Sequence, residues 1–117
     1  MGKINLAITG CMGRMGQQLI KSANKDKNTK LVALTENRLI KRKISGIKPE
    51  LNTEKSLSKA NVIIDFTIPK CTFEILKIAS KLKKRVVIGT TGFTKKEENL
   101  IKNFSKKIPI LKAGNMS

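Results

Sequence analysis

Residues 4–16 read Ile4-Asn5-Leu6-Ala7-Ile8-Thr9-Gly10-Cys11-Met12-Gly13-Arg14-Met15-Gly16. Ile4–Thr9 is a near-continuous apolar run, as suits a parallel strand covered on both faces. It runs straight into three glycines spaced three apart, and Glu36 follows twenty residues after Gly16. Strand, glycine turn, helix start and a late acidic residue together form the physical recipe for holding a dinucleotide. A diphosphate needs main-chain N–H groups with no Cβ in the way, and a helix N-terminus supplies them with a favourable dipole. In this reading Gly10 makes the tight exit from the strand, Gly13 lets the backbone approach the diphosphate, and Gly16 lets the helix pack close to the sheet.

Outward from the turn, strand and helix patterns alternate. A helix is expected from Gly13 to about Ala23, with Met15, Leu19, Ile20 and Ala23 at helical spacing, then a strand over Lys30–Thr35. Residues 37–55 are polar and contain Gly46 and Pro49, which reads as a loop with a short strand near Thr53–Ser56 and one helical turn over Ser56–Lys59. Asn61–Thr67 reads as a buried strand, Cys71–Leu82 as an amphipathic helix and Arg85–Ile88 as a strand broken by Gly89-Thr90-Thr91-Gly92. Thr94 with Glu97 three residues later predicts a capping box opening a helix to about Phe104, and Pro109–Lys112 is a last strand. The alternation predicts a single α/β domain over residues 1–117, a Rossmann-type doubly wound parallel sheet. Gly10–Gly16, Glu36, Thr67, Gly89–Gly92 and Ala113–Ser117 all follow strands, at the edge where such sheets bind ligands.

Composition narrows the function. The 117 residues are 39% hydrophobic, so a packed core is expected, and with four Phe and neither Tyr nor Trp that core is aliphatic. No apolar run approaches the roughly 20 residues of a membrane span, and the first strand starts too early for a signal peptide, so cytoplasm is the default expectation. Twenty-five Lys and Arg against eight Asp and Glu give a net charge of +17. The cations are spread over most predicted faces and no helix-turn-helix, zinc-finger or aromatic-studded pattern accompanies them, so no specific nucleic-acid partner is expected. The absence of histidine removes histidine acid–base chemistry and histidine metal ligation, and no catalytic residue or metal site is assigned.

Among the candidates, Arg14 and Met15 open the helix, Arg14 as a phosphate contact. Cys11 reads as a small filler inside the turn, although a helix N-terminus can lower a thiol pKa and would suit a redox role. Glu36 can accept both ribose hydroxyls of an adenosine and would repel a 2′-phosphate, which favours NADH, while Arg38 offers that phosphate a cation and keeps NADPH possible. Gly89, Thr90 and Thr91 suit the nicotinamide ribose or amide through backbone approach and two hydroxyls. Asp65, inside an apolar strand, needs hydrogen-bond partners if buried.

Gly10–Gly16, Ile64-Asp65-Phe66-Thr67-Ile68-Pro69, Val87-Ile88-Gly89-Thr90-Thr91-Gly92-Phe93 and Ala113-Gly114-Asn115-Met116-Ser117 together resemble the 4-hydroxy-tetrahydrodipicolinate (dihydrodipicolinate) reductase family, in order and spacing. The resemblance covers essentially the whole chain but only the family's amino-terminal, cofactor-binding half. It implies an NAD(P)H-dependent oxidoreductase that reduces a dihydrodipicolinate-type intermediate in the diaminopimelate route to lysine. It places dinucleotide contacts on Gly10, Cys11, Met12, Gly13, Arg14, Met15, Glu36, Gly89, Thr90, Thr91, Ala113, Gly114, Asn115 and Met116. The family's arginine for the NADP phosphate aligns with Asn37, one place before Arg38, which tilts the expectation towards NADH. The resemblance also implies that the catalytic segment and the substrate domain, which builds a homotetramer, lie beyond Ser117. This chain alone is then not catalytically competent, and it leaves apolar surface that the family's carboxyl-terminal end covers. The alternative reading is a non-catalytic nucleotide-binding remnant or sensor, with a basic nucleic-acid-binding domain third.

Overall fold

Six short strands, the central ones rich in buried aliphatic residues, pair in one parallel sheet in the order β3-β2-β1-β4-β5-β6. The computed structural model describes residues 2–113. Its strands are β1 (Ile4–Thr9), β2 (Thr29–Glu36), β3 (Glu50–Leu51), β4 (Val62–Asp65), β5 (Arg85–Ile88) and β6 (Ile110–Lys112). The helices are α1 (Arg14–Lys25), α2 (Glu54–Leu57), α3 (Pro69–Leu82) and α4 (Lys95–Ser105). Strand order reverses at β1, which lies between β2 and β4, so a crevice opens at its carboxyl end. The expected doubly wound Rossmann-type sheet is the observed one.

Alternation along the strands splits the core in two. Ala7, Ala33, Ile63, Val86 and Ile88 turn to one face, where Leu57, Ile75, Leu76, Ala79 and Ile101 of the helices cover them. Ile8 and Leu34 turn to the other face, under Ile20 of α1 and against Cys11, with Ile44 and Ile47 of the following loop packed beside them. On that second face β4–β6 carry no helix among the described residues, and Leu111 is 59% exposed. No helix among the described residues is long and apolar enough to cross a membrane.

The differences from expectation are local. The short strand sits at Glu50–Leu51 rather than near Thr53–Ser56. Thr53 is instead an N-cap: its hydroxyl accepts from the Ser56 N–H (3.0 Å) while the Ser56 hydroxyl accepts from the Thr53 N–H (3.1 Å), so α2 begins two residues before the turn expected at Ser56. Helix α3 starts at Pro69, not Cys71, because proline is pre-set for the first helical position. Strand β4 ends at Asp65, short of Thr67, whose N–H leaves the ladder for the Thr90 hydroxyl (2.8 Å). The Thr94–Glu97 capping box forms as expected and opens α4.

Candidate functional site

At the carboxyl end of β1 the chain must turn at once into α1, and the glycines make that possible. Gly10 adopts φ +68°, and a Cβ there would collide with the Phe66 carbonyl. A Cβ on Gly16 would collide with the Gly10 carbonyl and lie 2.9 Å from Cys11 Cα, so Gly16 packs against the turn itself rather than the body of the sheet. Gly13 differs: its φ of −72° is open to any residue, and an added Cβ would meet only the Gly10 carbonyl oxygen at 3.3 Å. The protein's own packing makes only a mild demand for glycine at position 13: the Gly10 carbonyl would have to give by a few tenths of an ångström.

Gly13 is also the N-cap of α1, with no side-chain cap and no acid in the first turn. The first helical hydrogen bond runs from the Gln17 N–H to the Gly13 carbonyl (3.0 Å). The N–H groups of Arg14, Met15 and Gly16 precede it and have no partner among the described residues. Unfilled donors at the positive end of a helix dipole attract an anion.

A cleft of about 240 Å³ opens beside this turn, lined by Gly10, Gly13, Glu36, Asn37, Phe66, Thr67, Ile68 and Cys71. It brings Gly10, Gly13 and Glu36 together, as the sequence predicts. Glu36 ends β2 with its carboxylate turned to the glycine turn: Oε2 accepts from the Met12 N–H (3.0 Å) and Oε1 from the Asn37 N–H (3.1 Å). None of the ion pairs among the described residues involves Glu36. Arg14, Met15 and Arg38 are exposed, whereas Met12 is half-buried and packs on the second core cluster.

Cys11 lies fully buried under the turn, and its N–H is spent on the Thr35 carbonyl (3.2 Å). Burial, then the Glu36 charge, pushes its thiol up from 9.0 to about 11. The net shift is upward and the thiol is buried, opposite to what a redox role needs. Cys71, on the cleft wall, is also pushed above 9.0, first by burial and then by Glu74 and Asp65.

Sequence reasoning did not assign Phe66, Ile68 and Cys71 to the site. The signal was available, since these residues follow β4 at the same sheet edge as Thr67. Gly89 meets the cleft only through Phe66, whose ring occupies the space a Gly89 Cβ would need. Thr90 is a correction to the expectation of two free hydroxyls. It is buried, and its hydroxyl accepts from the Thr67 N–H (2.8 Å) and donates to Asp65 (3.1 Å), which leaves only the exposed Thr91 hydroxyl. Ala113 follows β6 and donates its N–H to the Ile88 carbonyl (2.7 Å). Gly114, Asn115 and Met116 lie outside the described residues.

Asp65 has the partners its burial demands. It is wholly buried and accepts four threonine hydroxyls: Thr9 (2.7 Å) and Thr67 (2.7 Å) on Oδ1, Thr72 (2.5 Å) and Thr90 (3.1 Å) on Oδ2.

This geometry has counterparts among known proteins. The sequence matches the family described as "Dihydrodipicolinate reductase, N-terminus" over residues 4–116. A 4-hydroxy-tetrahydrodipicolinate reductase of Pelagibacter ubique (strain HTCC1062) is 73% identical over all of this chain, which covers 45% of that protein. The dipicolinate-bound dihydrodipicolinate reductase of Paenisporosarcina sp. TG-14 superposes with a TM-score of 0.72 at 28% identity, over 88% of this chain and 43% of that one. A homoserine dehydrogenase of S. aureus superposes with a TM-score of 0.76 at 15% identity, over 95% of this chain and 32% of that one, a likeness of fold alone. The chain spans about half the length of the curated relatives it matches. With the glycine turn and the reversal of strand order in place, the match over nearly every residue leads to one conclusion: this chain belongs to the dihydrodipicolinate reductase family and corresponds to its amino-terminal part.

Proposed function

We propose that this chain binds NADH or NADPH along the carboxyl edge of its sheet, as the coenzyme-binding part of a reductase. That reductase converts a dihydrodipicolinate-type intermediate to its tetrahydro form in lysine and diaminopimelate biosynthesis. The observation that carries the binding is Gly13: a position with only a mild internal need for glycine, at the uncapped start of α1, beside an open cleft.

The N–H groups of Arg14, Met15 and Gly16 hold the diphosphate, and Arg14 adds an exposed cation. Glu36 accepts the adenosine ribose hydroxyls, and Phe66 and Ile68 offer the adenine an apolar wall, Ile68 being 56% exposed there. Gly89 and Thr91 border the nicotinamide end, and the family resemblance assigns further coenzyme contacts to Ala113, Gly114, Asn115 and Met116. When bound, the coenzyme supplies a hydride. No residue of this chain is assigned as the proton donor, and substrate binding and tetramer contacts are assigned to the remainder of the family's length. Glu36 followed by Asn37 favours NADH, because a carboxylate repels a 2′-phosphate and no cation directly follows it.

Fluorescence titration with NADH and NADPH tests the reading. Saturable binding of both, tighter for NADH, is expected, with negligible substrate turnover by residues 1–117 alone. No binding of either dinucleotide at millimolar concentration would overturn it.

A further inference from the structure

The glycine turn explains how a diphosphate is held, but not what keeps one wall of the cleft in register with the turn behind it. Phe66 and Thr67 form one wall, and Gly89 to Thr91 border it from behind. They leave neighbouring strands and are joined by three contacts. The Gly89 N–H donates to the Asp65 carbonyl (2.7 Å), the Thr67 N–H donates to the Thr90 hydroxyl (2.8 Å), and the Phe66 ring lies against Gly89.

The middle contact requires an oriented hydroxyl. Thr90 can accept from the Thr67 N–H with good geometry when its own proton is committed elsewhere, and Asp65 Oδ2 takes that proton. The Thr67 proton goes to Oδ1 of the same carboxyl group, so the side chain and main chain of Thr67 are both tied to the one hub. No lysine or arginine pairs with Asp65 among the described residues; its oxygens are met by hydroxyls alone. A buried acceptor satisfied only by rotatable hydroxyls imposes direction on each of them.

We propose that Asp65 is a positioning residue for the dinucleotide site. By ordering the Thr90 and Thr67 hydroxyls it sets the Gly89–Thr91 turn against the Phe66–Thr67 wall, and so fixes where the coenzyme's nicotinamide end runs relative to its adenosine end. This role rests on the dinucleotide reading above and deepens it. Asp65 touches no coenzyme atom; it acts through Thr90.

The test compares Thr90→Val, Thr90→Ser and Asp65→Asn with Ile101→Ala, a core substitution in α4 that removes no group bonded to the hub and lowers stability. For each purified protein the NADH dissociation constant is read by fluorescence titration and the thermal midpoint without coenzyme. Thr90→Val should weaken NADH by about tenfold or more, the scale of a lost hydrogen bond to a charged group, and Thr90→Ser should stay within about twofold of wild type. Ile101→Ala should lower the midpoint while leaving affinity in place. Asp65→Asn, where it folds, should weaken NADH at least as much as Thr90→Val. Wild-type binding with Thr90→Val unchanged would overturn this role alone, as would affinity that falls in step with the midpoint across all variants, Ile101→Ala included. Wild type binding neither dinucleotide would overturn the dinucleotide reading and this role with it.

Discussion

Replacing Gly13 by alanine should separate folding from ligand binding at a single position. The native φ of −72° and ψ of 167° suit alanine, and the new methyl would touch only the Gly10 carbonyl oxygen at 3.3 Å. Alanine is a poorer N-cap than glycine, a loss of roughly 0.5–1 kcal/mol. Reduced freedom of the unfolded chain returns about 0.4–1 kcal/mol, so the net change in stability should be under ~1 kcal/mol. Binding should respond differently. In the proposed binding mode the methyl stands where the diphosphate approaches the first N–H groups of α1. Losing one or two hydrogen bonds to a charged group, each ~1.5–3 kcal/mol, gives a loss of about 3 kcal/mol, or ~100-fold in dissociation constant. Gly16→Ala is the contrast: its methyl would press on the main chain of Gly10 and Cys11, which cannot yield, and overpacking of this kind costs ~1–3 kcal/mol or more of stability. Urea unfolding and NADH titration on both variants read the two quantities. Gly13→Ala binding NADH as wild type does would refute the placement of the diphosphate at this turn.

Glu36→Ala should cost NADH ~1–3 kcal/mol of affinity and NADPH less, because the carboxylate that repels the 2′-phosphate is gone; parallel titrations read the difference, and equal losses would leave Glu36 only its bonds to the Met12 and Asn37 N–H groups. Cys11 should resist maleimide at pH 7–8 in the native protein and react after unfolding, since its thiol is fully buried and pushed up to about 11. A folded-state pKa above the unfolded 9.0 contributes stability that is complete below pH 9 and lost as pH rises to 11. Denaturation of wild type against Cys11→Ala over that window should therefore narrow their difference by up to about 2–3 kcal/mol. Thr94→Ala should cost ~1 kcal/mol of stability in thermal or urea unfolding, as it removes the cap of α4 that the Glu97 N–H uses (3.1 Å).

The long strands and helices were legible because their signals are local. Ile4–Thr9 and Arg85–Ile88 are apolar runs with glycine at their ends, and Thr94 with Glu97 is a cap written in adjacent residues. The misplacements fall where local signals compete. The short strand expected near Thr53–Ser56 lies at Glu50–Leu51, and the reciprocal Thr53–Ser56 hydrogen bonds make the expected stretch a helix start. At the site, Gly10, Gly13 and Glu36 could be named from spacing, because a helix dipole and main-chain donors need only a turn of the right length.

What the sequence determines by itself is the order of elements, and from that order the parallel sheet, its reversal at β1 and the edge at which sheets of this kind bind ligands. Each follows from short-range patterning and the handedness of strand crossovers. Only the tertiary structure decides which polar groups remain free. Four threonines from β1, the residues after β4, α3 and the residues after β5 converge on Asp65 across up to 56 positions of sequence. That convergence takes Thr90 out of the set of free hydroxyls and leaves Thr91. Sequence spacing carries no information on such pairings, since a hydroxyl's partner is settled by which strands lie side by side once the core has closed.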